Sequence, residues 1–186
     1  MKVLLINGSP HREGSTHRVL SVLEQQFKKN NVEVNWFELG TEPVHGCIDC
    51  QSCKNTHRCA FSEDQCNSLI EAMLDADGII IGSPVYFAGA NGALCALLDR
   101  AFYAAGTFGQ LYKGKCAAAV VCRYRSGGSA ALDRLNKYIT TSQINLIGSI
   151  DYMEFHSDFS EETGRFDTKV LKKLADQMVQ ALSVQE

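Results

Sequence analysis

Two groups of residues in this 186-residue chain have the types and spacing to do chemistry. The first is the run GSPHREGST, residues 8–16, directly after the apolar segment 2–6. A buried strand that ends in a turn of glycines and hydroxyls and then opens a helix forms a phosphate cradle, because the helix start offers unpaired N–H groups and a partial positive charge. Ser9, Ser15 and Thr16 add hydroxyl donors. Neither GxxxxGK[ST] nor GxGxxG is met, so the turn suits one phosphate held without lysine or magnesium, and no second cradle exists for a pyrophosphate. The alternative is an ordinary capped helix after a tight turn.

The second group is Cys47, Cys50, Cys53 and Cys59, spaced CxxCxxCx5C, with Cys66 beyond. Four thiolates this close together suit a [4Fe-4S] cluster or a tetrahedral zinc, and unligated thiols are the third reading. The bacterial-ferredoxin spacing CxxCxxCx3CP is absent. His45 and His57 flank the array as substitute ligands or as exposed loop histidines. Cys95, Cys116 and Cys122 fall in predicted helix or strand, where small buried apolar residues are the default.

Two further loops bear on a ligand. In SPVYFAGANG, residues 83–92, Val85, Tyr86 and Phe87 can form a flat wall with backbone donors beside it, which is what a flavin ring needs. Gly89 and Gly92 allow close backbone approach, and Asn91 tolerates unusual dihedrals. Flavin mononucleotide, with its single phosphate, matches the first loop, and a core turn with exposed aromatics is the rival reading. In the loop 123–129, Arg123 and Arg125 could stabilise a reduced, anionic flavin, bind the phosphate of NADPH, or lie in solvent. Asp99 and Arg100 read as an ion pair or cap of their helix, without chemistry, and Trp36 as edge-strand packing.

These groups must be positioned by an alternation of strands and helices. Residues 2–6 are an all-apolar strand, and Val19, Leu20, Leu23 and Phe27 recur at helical spacing through 16–29. The stretch 32–39 alternates as an edge strand does, and 40–65 is irregular and cysteine-bearing. Asn67 caps a predicted helix, 78–82 (GIIIG) is a central strand, 83–92 a loop and 93–105 a helix. A fourth strand over 115–122, a helix over 130–141, a fifth strand over 146–150 and a helix over 167–182 complete the order. Five strands with crossover helices predict an α/β doubly wound parallel sheet with helices on both faces and its ligand beyond the C-terminal strand ends.

The whole chain, 1–186, is expected to form one domain with a cysteine-bearing insertion at about 40–66, since its length and 45% hydrophobic content suit a single core. A net charge of -3 without a basic cluster argues against nucleic acid, and no apolar run is long enough to span a bilayer. A cytoplasmic location with reduced cysteines is expected.

GSPHREGST after the first strand, GSPVYFAGANGALCALLDRAF after the third and RYRSGGSAALDRLNKY after the fourth resemble the flavodoxin-like superfamily of NAD(P)H-dependent FMN reductases and iron-sulfur flavoproteins. The similarity covers residues 1–153. It implies the flavodoxin-like five-stranded order 2-1-3-4-5, with Ser9, His11, Ser15 and Thr16 on the FMN phosphate. Pro84, Val85, Tyr86 and Phe87 would line the ring, Asn91 is counted among the cofactor-binding residues, and Arg123, Gly127 and Gly128 would close the ring's third side. The cysteine spacing is similar to the ligand motif of the iron-sulfur flavoproteins. A low-molecular-weight tyrosine phosphatase, the rival on this fold, needs a cysteine in the first loop, which has none.

The implied function is an FMN-dependent NAD(P)H oxidoreductase passing electrons to a quinone, azo compound, flavin or protein acceptor. No catalytic side chain is expected, because the flavin carries the chemistry. The alternative is an electron-transfer protein of the iron-sulfur flavoprotein type that works with ferredoxin-like partners. A homodimer or homotetramer is implied, and the apolar helix GALCALLDRAFYAAG is a candidate face for it.

Overall fold

The computed structural model describes residues 1–153 and 168–184. Strands β1 (Lys2–Asn7), β2 (Glu33–Glu38), β3 (Gly78–Tyr86), β5 (Cys116–Arg123) and β6 (Asn145–Met153) form a parallel sheet in the order β2-β1-β3-β5-β6. Counting parallel strands alone, this is the expected 2-1-3-4-5. The sixth strand, β4 (Gly89–Ala90), pairs antiparallel with the end of β3, Val85 opposite Ala90 and Tyr86 opposite Gly89.

This hairpin corrects the expected loop 83–92. Strand β3 continues through Ser83 and Pro84, which pair with Val121 and Cys122, and turns back at Phe87 and Ala88. Both turn residues have positive φ, 47° and 65°, the sense a two-residue hairpin requires. Without Asn or Gly at those positions, the turn has no sequence signature.

Helices α1 (Ser15–Lys29) and α6 (Thr168–Ser183) cover one face of the sheet, packing on Val3, Leu5 and Ile80. The other face carries α3 (Cys66–Asp75), α4 (Gly92–Ala101) and α5 (Gly128–Thr141), packed on Leu4, Ile6, Ile79 and Ile81. The alternation along β1 and β3 sends successive side chains to opposite cores, which is why these strands are apolar throughout. The expected start of the last helix at Asp167 lies outside the described residues.

Helix α4 ends at Ala101 and passes into a π-helical turn over Phe102–Thr107, so the helix expected over 93–105 is two elements. Leu94, Leu97, Leu98 and Phe102 are buried in the core, so the apolar stripe expected to face a second copy is spent within the domain. Asn67 does not cap α3 either. Its side chain accepts from Cys59 N at 2.9 Å and donates to Cys59 O at 3.0 Å, bracing the cysteine segment, and Asp64 Oδ1 accepts from Cys66 N at the helix start. A short helix α2 (Cys53–Thr56) lies within that segment.

Candidate functional site

The first loop leaves β1 at Asn7, whose Oδ1 accepts from Ser9 N at 3.2 Å while its Nδ2 donates to Glu38. Ser9 is buried, and its Oγ accepts from His11 N at 3.1 Å, leaving the hydroxyl hydrogen for another acceptor. Gly14 is the extended residue before α1, so Ser15, Thr16 and His17 occupy the first helical positions, whose N–H groups have no intrahelical partner. Thr16 is buried, Ser15 half-buried and the His11 side chain exposed. Gly8 cannot be larger. A Cβ there would stand 2.6 Å from Gly82 O and would overlap Leu94, while Gly8 N bonds Gly82 O at 2.8 Å.

The second and third loops meet the first. Asn91 Nδ2 donates to Gly8 O at 2.8 Å, Asn91 Oδ1 accepts from Ala93 N, and Asn91 N bonds Ser83 Oγ. The buried Asn91 side chain thus staples loop to loop, a positioning task that its expected assignment to the cofactor did not describe. Ser15 Oγ lies 3.4 Å from Tyr124 Oη, within hydrogen-bond reach. Gly127 has φ 106°, and a Cβ on it would lie 2.9 Å from Ala88 Cβ and closer still to Ala88 Cα. Only glycine lets these two loops touch.

Between them opens a cleft of about 490 Å³ lined by Val85, Phe87, Ala88 and residues 123–126. The Phe87 side chain is fully exposed on a strained backbone, and Tyr86 and Tyr124 are about half exposed. Strain held at an exposed aromatic is a mark of a ligand-binding turn. Arg123 is fixed, its Nε donating to Asp151 Oδ1 at 2.6 Å and one terminal nitrogen to Arg125 O at 2.7 Å. Asp151 also sits where a Gly128 side chain would be. Pro84 is buried in the sheet and lines no part of this cleft, and Gly127 and Gly128 shape the frame around it.

The four cysteines of the array line one recess, together with Phe61, Arg100 and Tyr103 among others. Cys47 and Cys50 are exposed, Cys59 is half-buried and Cys53 is buried. Burial pushes the Cys53 thiol up, and hydrogen bonds from Ser52 bring the Cys50 thiol down. Among the described residues no three His, Cys, Asp or Glu side chains converge as a single metal ion requires. A four-iron cluster takes one thiolate at each of four irons, and the four cysteines that line this recess supply that number. His45 stacks on Phe61 at 4.8 Å, and His57 Nδ1 is buried without a partner.

Arg100 was missed by sequence reasoning. It does not pair with Asp99, which bonds Arg134 and Tyr138. Its guanidinium instead forms a buried ion pair with Asp64 and reaches Cys59, His45 and Phe61 in the cysteine segment. Burial pushes the Asp64 carboxyl up, but Arg100 and the N–H groups of His45 and Cys66 outweigh it and hold the carboxyl below its ordinary range. The one sequence signal was a charge on the buried stripe of α4.

A flavodoxin-like sheet with a phosphate-type loop and an aromatic cleft at its C-terminal edge defines a flavoprotein of the mononucleotide class. The chain belongs to the NADPH-dependent FMN reductase family, whose model matches residues 1–156. It is an FMN-dependent oxidoreductase that uses NAD(P)H. It is 29% identical over 151 residues to an iron-sulfur flavoprotein of Methanocaldococcus jannaschii, a match covering 81% of this chain and 78% of that protein. Other iron-sulfur flavoproteins match over 45–66% of their own length. A solved flavone reductase superposes with a TM-score of 0.77 at 17% identity, covering 98% of this chain and 63% of that one. An archaeal flavodoxin gives 0.65 at 14%, covering 98% and 99%. At these identities the two structures share the fold. Among the described residues no helix is long and apolar enough to cross a membrane.

Proposed function

We propose that residues 8–16 hold the FMN phosphate and that the cleft between the hairpin of β3 and β4 and residues 123–126 holds the isoalloxazine. The carrying observation is the joining of three loops around one opening through Asn91, Gly127 and the Ser15 and Tyr124 hydroxyls. Ser9 has a hydroxyl hydrogen to give a phosphate oxygen, and the start of α1 supplies N–H groups and a partial positive charge. Val85, Phe87 and Ala88 form one wall, and Arg123, held by Asp151, supplies positive charge to an anionic ring. Tyr86 flanks that wall, while Pro84, Asn91, Gly127 and Gly128 set its shape. Bound there, FMN supplies two-electron exchange with NAD(P)H and then with a quinone, azo, flavin or protein acceptor; the protein's part is to position and to exclude water. Removing the Ser15 and Thr16 hydroxyls together forfeits donors to a charged acceptor worth about 1.5–3 kcal/mol each. The Ser15→Ala/Thr16→Ala protein is expected to bind FMN at least tenfold more weakly by fluorescence titration, and unchanged affinity would remove the phosphate from this loop.

A second reading is favoured by the four cysteines that line one recess. Cys47, Cys50, Cys53 and Cys59 would hold a [4Fe-4S] cluster, adding one-electron transfer of the kind that ferredoxin-like partners use. Stoichiometric iron and acid-labile sulfide after anaerobic reconstitution, lost in Cys50→Ala with FMN still bound, is the expected result; absence of both in the unaltered protein retires it. Eight free thiols suit the reducing cytoplasm, where we place the protein. We also retain a homodimer or homotetramer, with the exposed Phe87 and Tyr124 as the face a second copy would cover.

A further inference from the structure

Arg100 is only 2% exposed, although it sits near the end of a helix whose other buried residues are apolar. Taking a guanidinium out of water costs several kcal/mol, and a buried ion pair is often replaceable by apolar side chains without loss of stability. Its presence there therefore asks for a purpose beyond holding the fold. The donor pattern supplies one. One terminal nitrogen bonds Asp64 and His45 O (3.0 Å), the other bonds Asp64 Oδ1 (2.9 Å) and reaches Phe61 O at 3.5 Å, and the guanidinium lies 5.3 Å from the Phe61 ring centre. Asp64 in turn accepts from His45 N and Cys66 N, both at 3.1 Å. With five groups of the cysteine segment holding the fork in place, the remaining donor, Nε–H, meets Cys59 Sγ at 3.2 Å.

We infer that Arg100 is a positioning residue for the cysteine recess, and that its N–H bond to Cys59 raises the reduction potential of the iron-sulfur group held there. The inference rests on the cluster reading above. A hydrogen bond to a ligating thiolate stabilises the electron-rich reduced state more than the oxidised one, and hydrogen bonds to the sulfurs are among the terms that set cluster potentials. Arg100→Lys keeps the positive charge beside Asp64 but has no donor at the Nε position. Asp64→Asn keeps the donor and removes the balancing negative charge. The two changes therefore act in opposite directions, which a purely structural ion pair has no reason to do.

The test uses the full chain with FMN, reconstituted anaerobically with iron and sulfide. Iron, sulfide and FMN are assayed, and the cluster midpoint is followed by electron paramagnetic resonance during a redox titration. Arg100→Lys is expected to lower the equilibrium constant for one-electron reduction by about tenfold, which is about 59 mV. Asp64→Asn is expected to move the midpoint upward. A loaded Arg100→Lys protein with the unaltered midpoint overturns the inference and leaves the cluster reading standing, as do shifts of one sign in both variants. If Arg100→Lys does not load, the Asp64→Asn midpoint decides, an upward shift supporting the inference and any other result overturning it. No iron and sulfide in the unaltered protein retires the cluster and this role together.

Discussion

Gly127→Ala probes the meeting of the second and third loops directly. At φ 106° an L-residue is strained, and the added methyl would lie 2.9 Å from Ala88 Cβ and nearer to its Cα. A non-glycine residue in such a backbone costs about 1–3 kcal/mol. Residues 86–88 and 124–126 are all exposed, so in the free protein the loops can part and relieve most of this with little loss of core packing. FMN binding must draw them together again and pay the cost then, so the penalty falls on affinity. At 1.4 kcal/mol per factor of ten, the expected loss is roughly 5- to 150-fold in Kd. Fluorescence titration of the apoprotein measures it, with the apoprotein Tm as the companion reading. Gly92→Ala is the control, because a Cβ there meets nothing within 4 Å and its φ is ordinary. Unchanged affinity in Gly127→Ala, or a large fall in Tm with affinity intact, would refute the placement of the flavin between these loops.

Gly8→Ala should act on the fold, since its methyl would press on Leu94 and on Gly82 O within the core; a destabilisation of about 1–3 kcal/mol by urea unfolding is expected, and a loss below 0.5 kcal/mol would contradict the close approach. The depressed Asp64 carboxyl makes the cysteine segment acid-labile. Its contribution is fully present above about pH 4, the ordinary range, and is lost as pH falls through the lower folded value. Hydrogen exchange over 44–66 should report protection lost below pH 4 in the unaltered protein; the same acid profile in Asp64→Asn would show that Asp64 is not its source.

The strand-loop-helix start of the chain was legible because its signals are local, a continuous apolar run, a turn of glycine and hydroxyls, and a 3.6-residue stripe from Val19 to Phe27, whereas the parallel order came from the family resemblance. The hairpin at Phe87 and Ala88 was not, because two non-glycine residues take positive φ only under tertiary constraint. Arg100 read as the ion-pair partner of Asp99 or a cap of its helix because its actual partner, Asp64, stands 36 positions upstream in an irregular segment. The stripe of α4 was mistaken for an intermolecular face because apolar periodicity announces burial without saying against what. The same limit applies to Asn91, whose short polar side chain suits a ligand and an interloop staple equally well until its partner, Gly8 O, is seen.

Anaerobic titration of the FMN-loaded protein with NADPH and with NADH tests the central claim most directly, read as the absorbance of oxidised flavin near 450 nm. The account predicts that at least one of the two bleaches the bound flavin at about one equivalent per FMN, and that Cys50→Ala does the same. A protein that retains no FMN, or that holds FMN left unreduced by both nicotinamides while dithionite reduces it, would contradict the account.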